Sequence, residues 1–355
     1  MELFKGLKVI ELASVLAGPA VGAFFAEMGS EVIKIENKKT SGDVTRKWKL
    51  PSEEPDSTSA YYASVNWGKQ VKFLDFSLSA DRQKLYDLIP EADIVVSNFK
   101  PSSAIKMGMD YATLKTINPG LIYAQLTGFG EDSSLPAFDV VLQAEAGFLY
   151  MCGEPEGRPV KMPVALIDIL AAHQLKEGIL LALMKRMQTG EGSYVYTSLL
   201  ESALASLANQ ATNWLMAGHI PQPMGTGHPN IAPYGDIFYS SDEKPIVIAV
   251  GTDDQFRKLC NCLQLPHLAE DQRFKTNHLR VQNRLVLVEF LRPGFNRFPR
   301  ESLMNAFNDL GVPAGRVRNM EEVFEIPAAR EMILEEVKKD GTHCKSVKTI
   351  AFSIE

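Results

Sequence analysis

The segment VKMPVALIDILAAHQLKEGILLALMKRMQTGEGSYVYTSLLE, Val160–Glu201, decides how the rest of the chain is read. An apolar run, Met162–Ile167, ends on one carboxylate, Asp168. Beyond it Leu170, Leu175, Ile179, Leu183 and Met187 recur at steps of four or five, near one face of a helix. Lys185 and Arg186 fall in the last turn, and Thr189-Gly190-Glu191-Gly192 stops the helix. Tyr194-Val195-Tyr196 then reads as a strand leading into another apolar helix. Asp168 therefore stands where an apolar segment meets a helix start. It fits two roles there. As an N-cap it accepts hydrogen bonds from the free amides of the first turn. As a nucleophile it is held by the same amides and attacks an acyl carbon. The segment alone leaves both open.

Upstream, Leu7–Leu12 reads as a strand, Ala17-Gly18-Pro19 as a turn, Ala20–Met28 as a helix and Glu31–Glu36 as a second strand. Short connections in such a βαβ unit predict parallel strands in a doubly wound sheet. Only Gly18 and Gly22 are available in the first turn, so the dinucleotide fingerprint G-x-G-x-x-G is missing. Residues 37–58 are polar and read as a long surface loop containing Gly42, Asp43 and Arg46. A strand within Asn66–Phe76 and a helix over Asp81–Ile89 follow. The third parallel-type strand, Ala92–Ser97, runs into Asn98-Phe99-Lys100-Pro101. Donors, an aromatic face and a cation at the carboxyl edge of a strand suit a nucleotide. An ordinary loop with a turn proline has the same composition. Ser102–Ile117 reads as helical and carries Lys106. Leu121–Leu126 is a strand followed by Thr127-Gly128-Phe129-Gly130, and Val140–Tyr150 is a short helix.

Downstream of Gly218 the texture changes. Pro221, Pro223, Gly225, Gly227 and Pro229 crowd a loop that reads as a linker. Ile237–Val250 has the pattern of a hairpin, and Asp253–Leu263, Leu279–Arg292 and Arg300–Leu310 are helical. The expected division is a large domain over residues 1–218, a smaller α+β domain with its linkers over 219–318, and a C-terminal return to the large domain over 319–355.

The chain has 355 residues, a size for two domains at roughly 150 residues each. Its formal net charge of −6 argues against a general nucleic-acid binder. The cysteines, Cys152, Cys260, Cys262 and Cys344, lack zinc-site spacing. Cys260 and Cys262 fall in a helical pattern that points them to different sides, so packing is expected and no metal. Few cysteines and no secretory pattern imply a reducing, cytoplasmic setting. No apolar run approaches the ~18 residues needed to span a membrane.

Taken together, these motifs resemble the class III CoA-transferases, the group of formyl-CoA transferase, carnitine CoA-transferase and the α-methylacyl-CoA racemases. The matching segments include GLKVIELASVLAGPAVGAFFAEMGSEVIKIE, NWGKQVKFLDF, DIVVSNFKPSSAIKMG, NPGLIYAQLTGFG, AFDVVLQAEAGF, MQTGEGSYVYTSLLE, GTGHPNIAPYGDIF and GVPAGRVRNMEEV, in family order. The resemblance implies a Rossmann-like large domain, a small domain and an interlocked homodimer. It implies that Asp168 is the catalytic aspartate, forming an anhydride with the acyl group and then a thioester with CoA. Acyl-CoA and a carboxylic acid are the substrates, with no permanently bound cofactor.

Position by position, Val15, Leu16 and Ala17 match the loop lining the CoA channel. Leu74, Asn98, Phe99 and Lys106 match positions that hold the adenosine and phosphates, and Lys100 is a further candidate. Gly225 and Gly227 match a glycine loop over the substrate. Developing carbonyl charge is expected to meet backbone amides near the helix start or in the glycine loop. Formyl-CoA transferases carry Gln at Leu16, Arg at Asn37 and Lys at Thr127, so a formyl/oxalate pair is not expected. A racemase on the same fold is the alternative activity. It needs two acid/base groups, but Phe138 stands where racemases place a His, which leaves only His228 as a candidate imidazole. A CoA-binding protein without catalysis is the third reading.

Overall fold

The computed structural model describes residues 2–355. Six strands, β1 (Lys8–Leu12), β2 (Glu31–Asn37), β3 (Gln70–Leu74), β4 (Ile94–Ser97), β5 (Ile122–Thr127) and β6 (Ser193–Ser198), form one sheet in the order β3-β2-β1-β4-β5-β6. Every neighbouring pair is parallel. Alternate residues feed two separate cores. Val9, Val32, Ile94 and Ile122 pack with the helices Ala17–Glu27 and Leu166–Thr189. Ile10, Ile33, Val95 and Tyr123 pack with Leu85, Ile89 and Leu114. Both faces are thus covered, which is why the strands read as nearly continuous apolar runs. The order reverses between β1 and β4, and a doubly wound sheet opens a crevice at the carboxyl ends of such a pair.

Several boundaries differ from the sequence reading, each for a local reason. The first helix begins at Ala17, not Ala20, because the Leu16 carbonyl already accepts from the Ala20 amide at 2.8 Å. The helical span 102–117 breaks at Gly108, whose φ of 69° is left-handed, and Asp110 caps the helix that follows. The span 140–150 breaks at Gly147 in the same way, with φ 83°. The apolar run Met162–Ile167 runs into the long helix before it reaches Asp168. The long helix starts at Leu166, so Asp168 is its third residue and Ala165 holds the cap position. Its buried face is Ile167, Ala171, Leu175, Ile179 and Ala182, whereas Met187 is 88% exposed. The loop over 37–58 is not wholly on the surface, since Asp43 and Thr45 are buried.

The chain divides into two compact units. The first comprises the chain to Leu149, Lys161–Ile220 and Arg330–Glu355. In it the C-terminal hairpin β10 (Ile333–Val337) and β11 (His343–Val347) is tied down by Lys338 Nζ to the Asn66 carbonyl at 2.8 Å. The Glu27 carboxylate also accepts from the Thr349 amide at 2.9 Å.

The second unit comprises Tyr150–Val160 and Pro221–Ala329. This departs from the expected 219–318: Tyr150–Val160 joins it because the Gly225 amide donates to the Gly153 carbonyl at 2.7 Å. Its antiparallel sheet, β7 (Tyr234–Tyr239), β8 (Pro245–Ala249) and β9 (Ala314–Arg316), closes on Phe256, Phe295 and Phe307. Cys260 is buried there, and burial pushes its thiol up to about 12. No cluster of metal-ligating side chains exists among the described residues, and no helix among them is long and apolar enough to cross a membrane.

Candidate active site

The crevice at the β1/β4 switch is built from two loops that bind each other. The Ser14 amide donates to Asn98 Oδ1 at 3.2 Å, and Asn98 Nδ2 donates to the Ser14 carbonyl at 2.9 Å. The next residue, Val15, has φ 72°, a conformation that is strained for a β-branched side chain. It is held there by the Asp43 carboxylate, which accepts from the Val15 amide at 3.2 Å.

Asp43 belongs to a buried ionic cluster that the sequence reading did not find. Lys34 Nζ lies 3.1 Å from Asp43 and 2.8 Å from Glu11, and donates to the Ala13 carbonyl at 2.7 Å. Glu11 Oε2 faces the Lys69 ammonium at 2.7 Å, a charge contact outside hydrogen-bond alignment. Burial pulls the Lys69 ammonium down to about 8, against the pull of Glu11. Gly22 leaves room for this cluster, because a Cβ there would lie 1.9 Å from Glu11 Oε2. Beside it Glu36 holds Arg46 at 2.6 Å and the Tyr62 hydroxyl at 2.7 Å, and accepts from the Asp43 amide at 2.9 Å. Lone buried ions are expensive, and only interlocked charges of this kind are tolerated. The cluster fixes the floor of the crevice.

Two cavities run along the strand ends and share Ser14 and Phe99. One, of about 590 Å³, is lined by residues that include Leu12, Asn37, Lys39, Lys47, Phe76 and Met107. The other, of about 160 Å³, is lined by Val15, Leu16, Ala17, Asn98, Phe99, Lys100, Thr127, Phe138 and Asp168 among others. Seven of the residues singled out in the sequence therefore share one wall. Leu74 and Lys106 line neither cavity: Leu74 is 5% exposed inside the sheet core, and Lys106 is exposed in the last turn of its helix. Lys100 reaches the Ser134 carbonyl at 2.7 Å. The larger cavity instead carries Lys39 and Lys47, which the sequence reading passed over. Asn37 positions the first of these, its side chain accepting from the Lys39 amide at 2.9 Å.

Asp168 is 7% exposed. Its side chain caps nothing, because the amides at the helix start are already taken. Asp139 Oδ2 accepts from the Ile167 amide at 2.7 Å and from the Asp168 amide at 3.2 Å. Asp139 is fixed in turn by Gln143, whose Nε2 donates to it and whose Oε1 accepts from the Met162 amide at 2.9 Å. This corrects two expectations. Asp168 is not the N-cap, and the amides of Ile167 and Asp168 are not free to meet carbonyl charge. Burial, and then the charge of Asp139, push the Asp168 carboxyl up to about 7. Tyr61 stands near the same carboxylates. Burial and then the charges of Asp168, Asp139 and Asp43 raise its phenol above the ordinary value. Its ring packs edge-on against Trp48, with centroids 5.0 Å apart.

Gly225, with φ 59°, and Gly227 lie in the second unit, where Glu154 stands beside Gly225. His228 is also there, its Nδ1 accepting from the Asn230 amide at 3.1 Å. His173 is exposed on the long helix.

A sequence profile of CoA-transferase family III matches residues 4–355. The chain is 37% identical to a succinate–glutarate CoA-transferase of Agrobacterium fabrum, over 97% of this chain and 88% of that one. It is 32% identical to the human succinyl-CoA:glutarate CoA-transferase, over 91% of this chain and 73% of that one. The crystal structure of a CAIB/BAIF family protein from Brucella suis matches with a TM-score of 0.85 at 37% identity, covering 98% of this chain and 92% of that one.

Proposed function

The chain belongs to CoA-transferase family III, and we propose that it moves CoA from an acyl-CoA thioester to a carboxylic acid through covalent intermediates on Asp168. The observation that carries this reading is a nearly buried carboxylate on a cavity wall that accepts no hydrogen bond among the described residues. A carboxylate stripped of donors keeps its electron pairs available for attack.

An Asp168 oxygen adds to the thioester carbonyl. The carbon–sulfur bond breaks, CoA leaves as the thiolate, and a mixed anhydride remains. The thiolate then adds to the aspartyl carbonyl and expels the acyl group as its carboxylate, leaving an aspartyl-CoA thioester. The acceptor carboxylate adds to that carbonyl and releases the thiolate, which attacks the new anhydride on its acyl side and frees Asp168. Activated acyl bonds of comparable energy are exchanged throughout, so no net proton or phosphoryl transfer is needed. Ala17, on the same cavity wall, is the first residue of its helix and offers an amide for carbonyl charge.

The larger cavity suits the adenosine phosphates, with Lys39 and Lys47 as cations and Phe99 as an apolar face shared by both cavities. Lys39 would then stand in for the missing cation at Asn37. The smaller cavity, at about 160 Å³, favours a short acyl group. With the substrates named for the relatives, it supports succinyl-CoA or another small dicarboxylyl-CoA as donor and a dicarboxylate as acceptor. Phe138, 53% exposed where the cavity is lined, has no proton to exchange, which disfavours a racemase. Leu181, Met184 and Met187 on the long helix, and Trp214, Leu215 and Met216, are exposed apolar side chains that suit burial in a homodimer.

Acyl-CoA turnover in the presence and absence of a carboxylate acceptor tests the function. CoA movement that requires the acceptor supports it. Deuterium wash-in at the α-carbon without any acceptor would establish the racemase instead.

A further inference from the structure

Asp168 does its proposed work only if nothing else occupies its carboxylate, and the start of its own helix is the nearest threat. An aspartate in the first turn of a helix ordinarily turns to the free amides there, which lowers its basicity. Here those amides point at another residue. Asp139 Oδ2 takes both the Ile167 and Asp168 amides, at 2.7 and 3.2 Å. Asp139 Oδ1 is held by Gln143 Nε2, and Gln143 Oε1 by the Met162 amide at 2.9 Å, so the acceptor cannot swing away without breaking two links. Gln143 is fully buried.

We propose that Asp139 is a positioning residue for the transfer reaction: by capping the helix of Asp168 from outside and adding a second negative charge beside it, Asp139 keeps the Asp168 carboxylate unbonded and reactive. This rests on the reading of Asp168 as the nucleophile. The charged and titratable groups near Asp168 are Asp139, at the start of the separate helix Asp139–Glu145, Tyr61 from the short helix Ala60–Ala63, and Lys100, which lines the same cavity and is engaged by the Ser134 carbonyl. Asp43 adds its charge at Tyr61. Lys100, the one cation among these, is turned to a carbonyl, so burial, and after it the charge of Asp139, opposes ionisation of Asp168. A more basic carboxylate is a better nucleophile, following Brønsted behaviour.

The test is the Asp139→Asn variant, whose amide oxygen can still accept from both backbone amides while the charge is gone and the hydrogen bond from Gln143 Nε2 is lost, a loss that Gln143→Ala reproduces with the charge kept. The rate of CoA adduct formation on the Asp168 peptide, after mixing with succinyl-CoA, is followed by mass spectrometry across the pH range together with kcat. In the variant the acid limb moves to lower pH by about one unit and the plateau falls several-fold to about tenfold, with KM for the acyl-CoA within about twofold. Asp139→Ala moves the limb in the same direction and also lowers the melting temperature, because the cap is lost. Gln143→Ala, which keeps the charge, leaves the limb in place. An acid limb unchanged in both Asp139 variants, with rate loss tracking only the loss of stability, would overturn the role of Asp139. Wild-type protein that moves CoA without any adduct on Asp168 would overturn the nucleophile reading itself, which is a separate result.

Discussion

Two buried aspartates sit on the same crevice and are treated in opposite ways. Asp43 is saturated: the Val15 amide, the Thr45 amide and hydroxyl, and the Lys34 ammonium all converge on it. Asp168, buried to a similar degree, receives none of these. The difference separates scaffolding from chemistry. A carboxylate given donors and a cation holds its surroundings still, and here it pins a strained valine at the crevice floor. A carboxylate denied them is costly to ionise, and that cost is what makes it reactive. The cation Lys34 is paired with Asp43, whereas Lys100, on the wall of the Asp168 cavity, is turned to the Ser134 carbonyl.

The contrast is sharpened first by the largest effect. Asp168→Asn is expected to lower kcat by roughly three orders of magnitude or more while acyl-CoA binding persists, measured by steady-state rates and calorimetry. Near-normal turnover in that variant would erase the distinction. On the other side, Glu11→Gln leaves Lys34 and Lys69 buried with one fewer compensating charge. It is expected to cost about 3–5 kcal/mol in urea-induced unfolding. A cost below about 1 kcal/mol would show that the cluster does not hold the crevice.

A third outcome runs against the usual direction of mutation. The folded-state pKa of Asp168, about 7, lies above its unfolded value, so its protonated form is favoured by folding. That contribution is fully present below about pH 4 and is lost as pH rises through about 7. Asp168→Asn, which never ionises, should therefore be more stable than wild type at pH 8, by on the order of 2–3 kcal/mol, with the gain vanishing near pH 4. Equal stability at pH 8 would mean that Asp168 ionises there without penalty. The smallest effect is expected at Phe99, shared by both cavities, where Phe99→Ala should weaken acyl-CoA binding by about tenfold without moving the acid limb.

The sheet was legible because its strands are covered on both faces and carry unbroken apolar runs such as Val9–Ile10 and Val95–Val96. Helix limits were less so, since Gly108 and Gly147 break helices through backbone conformation that periodicity does not register. Asp168 could be located from its place at a helix start, but its cap role and its nucleophile role have the same local sequence. Only the resemblance tipped the reading, and only the structure shows the amides taken by Asp139, 29 residues away. The ionic cluster was invisible for a related reason. Glu11, Lys34 and Lys69 look like solvent-facing charges until the β1–β2 pairing and the loop to β3 bring them together. Lys39 and Lys47 were missed because residues 37–58 read as a polar surface loop, whereas Asp43 and Thr45 anchor that loop against the crevice.

The most direct test is to mix wild-type protein with succinyl-CoA, quench within one turnover and locate any added mass by peptide mass spectrometry. The predicted result is a CoA-sized adduct on the peptide containing Asp168, absent from Asp168→Asn. CoA transfer at full rate with that peptide unmodified, or with the adduct on another residue, would contradict the assignment of Asp168 as the acyl carrier.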